Sequence, residues 1–483
     1  MASSFFRRPS LLRLKAGFTP TSLTNHEPAA RNSITFNISG TLPRHYAVQV
    51  PPSPGLKEPV TSPRDTDKYW QKVKIWENVT KEDFLSYRWQ GANTIERQDK
   101  LLHFLEKVLP EVLPQPANGD LVSPQTMKRD DFLADVLDGM RLAPMSIRLT
   151  PHMLSVVDWT NPIVDPIRRQ FIPLKSTLVR DLPRLALDSL YETHDSPVPG
   201  LVHRYPEKVL FLATSVCPVY CRFCTRSYAV GGPTESVNKT PTRPGRKRWE
   251  AMFEYIEKTP VVQDIVVSGG DSYMLHADHL RLIGERLLAM PNVKRFRFAT
   301  KGLAVCPMRI LDHSDGWTEA FVELSNKGRS MGKQVAMHTH FNHPKEITWV
   351  TELAARRLFE HGVTVRNQTV LLRGVNDDLE TMSTLIRRLA DLNIQPYYVY
   401  QADMVRGVED MRSPLWKILE LEKHIRGTIA GFMTPSFIVD LPGGGGKRLA
   451  NSFETYDRAS GISTWKAPGV TGDEVFEYHD PVI

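Results

Sequence analysis

Residues 208–224 read KVLFLATSVCPVYCRFC, a strand-like apolar run that passes directly into a loop carrying Cys217, Cys221 and Cys224. Downstream the same rhythm recurs: DIVVSGG (264–270), FRFAT (296–300), QVAMHTH (334–340), TVRNQTVLL (364–372) and PYYVYQ (396–401), each separated by a longer helical segment. Alternating strand and helix is the signature of a parallel α/β sheet with crossover helices. These six runs fit a partial (β/α)6 TIM-like barrel better than a closed eight-fold one.

Upstream, apolar residues recur at helical spacing from Tyr69 to about Leu190, as in DKLLHFLEKVLPEVL (99–113) and DFLADVLDGMRLA (131–143). The first 26 residues hold no acid and carry Arg7, Arg8, Arg13 and Lys15 among serines and leucines. That reads as a mitochondrial transit peptide, with a basic tail on a cytoplasmic protein as the alternative. Prolines 51, 52, 54, 59 and 63 mark a linker. The expected division is leader 1–26, disordered linker 27–66, helical region 67–192, barrel 193–430, and an irregular C-terminal segment 431–483 whose tail is polar after about Leu449.

A chain of 483 residues, 41% hydrophobic, is long enough to bury a large core, which excludes disorder throughout. The net charge of +7 is modest, and no basic run interleaved with aromatics appears, so nucleic acid is not an expected partner. No stretch of about 18 apolar residues exists to span a membrane. Three of the four cysteines lie within eight positions, unlike a secreted disulfide scaffold.

Three thiolates on one loop suit a metal cluster. A structural zinc site needs a fourth cysteine or histidine nearby, and none follows at the usual spacing. With three thiolates a four-iron cluster keeps one iron open. This spacing, with Phe223 before the last cysteine, resembles the radical S-adenosylmethionine superfamily. One strand later stand Ser268, Gly269, Gly270 and Asp271, whose glycines permit close backbone approach; in the superfamily a similar element binds the methionine amino group.

Residues 436–447, SFIVDLPGGGGK, are a strand-like run followed by four glycines and Lys447. A P-loop fails on spacing, because Arg448 stands where Walker A needs Ser or Thr. A lysine so presented can form a Schiff base with pyridoxal phosphate. DLPGGGGK looks like the pyridoxal-lysine loop of the lysine 2,3-aminomutase family, and the likeness continues through HRYPEKVLFLATSVCPVYCRFCTRS, SGGDSYML, HTHFNHP, NQTVLLRGVND and PYYVYQADMVRG, over roughly residues 67–450.

The resemblance implies an isomerase converting L-lysine to L-β-lysine with a [4Fe-4S] cluster on Cys217, Cys221 and Cys224, S-adenosyl-L-methionine and pyridoxal 5′-phosphate. It implies Lys447 as the Schiff-base lysine, Arg204 as the phosphate-holding arginine, Arg226 as the partner of the substrate carboxylate, and Asp403 with Asp440 as acceptors of the ε-ammonium. A buried cation demands such paired negative charge. His338 and Gln368 resemble S-adenosylmethionine contacts, beside Ser268 to Asp271. A reductase, flavodoxin or ferredoxin-type electron donor and a homo-oligomer are the implied partners. Bacterial members carry further cysteines that bind zinc at a subunit contact; here Asp378 follows GVND and no cysteine follows Cys306, so zinc is not expected. The alternatives are an aminomutase for another dibasic amino acid and a non-catalytic iron–sulfur protein.

Overall fold

In Lys208–Thr214, Val209, Phe211 and Ala213 are buried while Lys208, Leu210 and Leu212 are half-buried: one face packs outward on helices and the other faces inward. The computed structural model describes residues 67–115, 126–239 and 245–482; the expected leader and linker lie outside them. The described residues belong to one compact unit.

After a small ribbon of β1 (Val112–Pro114) and β2 (Thr126–Lys128), the chain builds one nine-stranded sheet. Its strands are β3 (Leu201–Tyr205), β4 (Lys208–Thr214), β5 (Asp264–Gly269), β6 (Arg295–Ala299), β7 (Gln334–His340), β8 (Thr364–Val370), β9 (Gln395–Tyr400), β10 (Ser436–Leu441) and β11 (Gly446–Leu449). They lie side by side in chain order. β4 to β10 run parallel, with β3 and β11 antiparallel at the two edges. The edges meet where the Lys447 backbone N–H on β11 donates to the Tyr205 hydroxyl on β3 at 3.2 Å, so the sheet is a nearly closed, barrel-like α/β structure.

Three expectations need correction. All six strand-like runs are parallel strands, but β10 adds a further parallel strand and each edge an antiparallel one. The lysine does not sit on an irregular segment: β10 and β11 form a hairpin that pairs Asp440 with Lys447, and the four-glycine turn supplies the positive φ this requires at Gly443, Gly444 and Gly446. The tail after Leu449 is an antiparallel sheet of β12 (Thr455–Asp457), β13 (Ile462–Ala467) and β14 (Gly472–His479), which buries Trp465 and Tyr478 completely.

Upstream, Gln98–Val108 and Arg129–Leu142 are helices as read. The last α-helix of this section ends at Phe171 and a short 3-10 turn at Thr177, short of Leu190; residues 178–200 form an irregular strap. Among the described residues no helix is long and apolar enough to cross a membrane.

Candidate active site

Parallel strands of such barrels present functional groups from the loops at their C-terminal ends. Here those ends surround a cavity of about 370 Å³, lined by every residue named from the sequence as a site residue. The cysteine loop follows β4, Ser268 to Asp271 end β5, His338 lies near the end of β7, Gln368 near that of β8, Asp403 follows β9, and Asp440 and Lys447 face each other across the β10–β11 hairpin.

At one end, Lys447 Nζ donates to Asp440 Oδ2. The Tyr400 and Tyr205 rings lie 5.5 and 5.8 Å from the ammonium. Burial opposes the charge, but Asp440 and the two phenols outweigh it and hold Lys447 above the ordinary lysine range. Asp440 Oδ1 and Asp403 Oδ1 are both buried without a hydrogen-bond partner. Burial first, then the Asp440 charge, raises the Asp403 carboxyl well above the carboxylate range. Two acceptor atoms without donors, on adjacent carboxylates, fit a second cation in addition to Lys447.

Both arginines are engaged by the strap. Arg204 donates through Nε to Asp195 Oδ2 at 2.7 Å and through Nη2 to the Leu190 carbonyl. Arg226 donates through Nε and Nη2 to Glu192 at 2.8 and 2.7 Å, and Tyr228 adds a 3.0 Å bond to the same carboxylate. Tyr191, between these contacts, adopts the left-handed region at φ 55°, a strained turn for a non-glycine residue. Sequence reasoning missed Glu192 and Asp195, which lie in a stretch without periodicity or motif. The Arg226 fork is already committed to a protein carboxylate, leaving Nη1 and the remaining Nη2 proton for a ligand.

Toward the other end, the cysteines are half-buried in the cavity wall. Burial pushes the Cys221 thiol up to about 12. Among the described residues no group of three or more His, Cys, Asp or Glu side chains is arranged to hold a single metal ion. All three cysteines line the cavity; in a four-iron cluster each thiolate ligates a different iron, so three of them would leave one iron open.

The glycine pair has a reason nearer than a ligand. Gly269 sits at φ 114°, and a Cβ there would run into the Thr214 carbonyl; one on Gly270 would meet the Val216 carbonyl at 2.5 Å. The pair therefore seats the end of β5 against the backbone leading into the cysteine loop. Asp271 is likewise internal: Oδ1 accepts from Tyr273 N at 2.8 Å and Oδ2 from Lys301 N at 2.7 Å. These bonds shape the loop, and Asp271 also lines the cavity.

His338 Nδ1 and Gln368 Oε1 both face the Tyr397 hydroxyl, at 3.2 and 3.1 Å, and His338 Nε2 is buried without a partner. Burial lowers His338 to about 2, so the ring stays neutral and can accept or donate one further hydrogen bond. Tyr397, read only as a strand residue, is the link between the two, and Lys301 and Arg297 also enter the wall from the β6 end, to which no role had been given.

The chain is 36% identical over 376 residues to L-lysine 2,3-aminomutase of Acetoanaerobium sticklandii, spanning 78% of this chain and 80% of that protein. It is 35% identical over 377 residues to L-lysine 2,3-aminomutase of Clostridium subterminale, spanning 78% and 80%. Glutamate 2,3-aminomutase of Clostridioides difficile is 30% identical over 383 residues, 79% of this chain and 80% of that protein. No protein-family model matches the chain.

Proposed function

This chain belongs to the lysine 2,3-aminomutase family and is an isomerase of the aminomutase type, and from that premise we propose that its substrate is free L-lysine, whose α-amino group it moves to the β-carbon. The observation that carries the choice is the pair of buried, partnerless carboxylate oxygens on Asp403 and Asp440. A substrate ending in an ammonium satisfies both; a glutamate side chain would add a third carboxylate beside them, which like-charge repulsion forbids.

When bound, an iron–sulfur cluster with S-adenosylmethionine supplies a carbon radical able to take hydrogen from an unactivated carbon, and pyridoxal phosphate supplies the carbon that carries the migrating nitrogen. Cys217, Cys221 and Cys224 would hold the first, Ser268 with Gly269, Gly270, His338 and Gln368 would line the second, and Lys447 with Arg204 would hold the third. Lys447 must lose its proton before its nitrogen can bond to carbon, and Asp440, paired with it on the adjacent strand, orients the side chain until then. Arg226 turns its remaining N–H groups toward the substrate carboxylate while Glu192 fixes its plane. Clamped at both ends, the β-carbon is held at one position in a cavity walled by Tyr205, Tyr398 and Tyr400 that limits water.

Borohydride reduction of the pyridoxal-loaded protein followed by peptide mass spectrometry tests the cofactor assignment. The phosphopyridoxyl group should appear on Lys447; stoichiometric labelling of another cavity lysine, Lys208, would overturn it.

A further inference from the structure

Several buried cations among the described residues have acids beside them. Lys301 pairs with Glu346 at 2.9 Å, Arg222 with Asp410 at 3.0 Å and Arg412 with Glu409 at 2.7 Å. Arg168, fully buried, spreads its charge over the carbonyls of Pro162, Ile163 and Ile172. Lys239 differs from all of these. It is 4% exposed, donates to the Val230 carbonyl at 2.8 Å, and its remaining contact is the Met145 sulfur at 3.5 Å. Among the described residues no carboxylate lies within ion-pair distance of its ammonium. An ammonium this buried without an anion is strongly destabilised, so a negative charge belongs nearby.

Its surroundings say where. Val230 and Met145 both line the cavity alongside Cys217 and Cys224, and the Val230 N–H is bonded to the Arg226 carbonyl, two residues past Cys224. Burial lowers the ammonium to about 8, and Cys224 and Cys217, when they are thiolates, oppose that fall.

We infer that Lys239 is the charge partner of the cysteine loop, a buried cation that stabilises the reduced form of the iron–sulfur cluster held there. This rests on the reading that the loop binds such a cluster. A [4Fe-4S] core with three thiolates is an anion, and one added electron makes it more so, so a fixed cation nearby favours reduction and raises the potential. Buried in a low-dielectric wall, it is little screened by salt.

The test uses the full chain reconstituted anaerobically with iron and sulfide, without S-adenosylmethionine, and compares wild type with Lys239→Gln, Lys239→Met and Lys239→Arg. Iron and sulfide content is measured first, then the reduced fraction of the cluster by electron paramagnetic resonance across a redox titration. The neutral variants should assemble the cluster but show, at the wild-type midpoint, a reduced-to-oxidised ratio lower by about ten-fold, equivalent to about 59 mV for one electron. Lys239→Arg should stay near wild type. Neutral variants that titrate with the wild type overturn the inference, as does failure of all three variants to assemble a cluster, which makes Lys239 a packing residue. Assembly in Lys239→Arg alone upholds the charge pairing. Failure of the wild type to bind iron and sulfide sinks the underlying reading instead.

Discussion

Asp403→Asn removes a charge while keeping shape, so it separates recognition from packing. Asp403 Oδ1 has no partner and Asp440 gives its Oδ2 to Lys447, so an incoming ammonium depends on Asp403 for much of its compensation. At about 3 Å and an effective dielectric of about 20, one charge pair contributes about 5 kcal/mol. Desolvation, and the cost of ionising a carboxyl that burial holds protonated, offset part of that, leaving about 3–4 kcal/mol. The variant should therefore lose about two to three orders of magnitude in kcat/KM for lysine, measured anaerobically by mass spectrometry of the product. Stability should move the other way. The folded-state value of this carboxyl lies above its unfolded value, so the folded protein retains a proton that the unfolded chain releases, and wild-type stability falls as pH rises through that interval. The amide is free of this penalty, and its advantage in Tm should grow from pH 4 toward neutrality. A variant that keeps kcat/KM within about three-fold of wild type, a change below 1 kcal/mol, would refute the reasoning; so would a Tm loss typical of a core lesion.

Glu192→Gln should lower KM for lysine about three-fold and kcat about ten-fold, because removing the anion beside Arg226 strengthens its pull on a carboxylate while freeing its plane; parallel loss of both parameters without a KM decrease would contradict this. Gly269→Ala should destabilise by about 3 kcal/mol and reduce iron incorporation, since the new methyl meets the Thr214 carbonyl in a left-handed backbone; thermal melts and iron assays check it. His152 is buried against the Tyr69 hydroxyl at 2.7 Å, and burial lowers it to about 3. Its folded value lies below the unfolded one, so only the unfolded chain takes the proton as pH falls through about 6.5, and about 2 kcal/mol should be lost by pH 5. A chemical-denaturation series should show that slope diminished in His152→Gln.

Much of the barrel was legible because each of its parallel strands is a short apolar run ended by polar or glycine-rich turns. The cysteine loop and the glycine-rich lysine loop were legible because their spacing is tied to chemistry. The C-terminal sheet was not. In β13 the inward residues are Ser463, Trp465 and Ala467 while Ile462 is half-exposed, so the alternation of apolar with polar is inverted at the first two positions and spans only Thr464–Ala467. Glu192 and Asp195 were invisible for another reason: they act from an irregular strap whose position depends on the whole barrel edge. The glycine pair after β5 was noticed, but its packing against Thr214 and Val216 is a tertiary fact that local sequence does not encode.

The central claim is tested most directly by reconstituting the protein anaerobically with iron, sulfide, pyridoxal phosphate, reductant and S-adenosylmethionine, supplying isotopically labelled L-lysine, and analysing the derivatised products by mass spectrometry. Labelled β-lysine that disappears in Lys447→Ala and in Cys221→Ala is the predicted result. An intact cluster that yields no β-lysine, whether or not S-adenosylmethionine is cleaved, would contradict it.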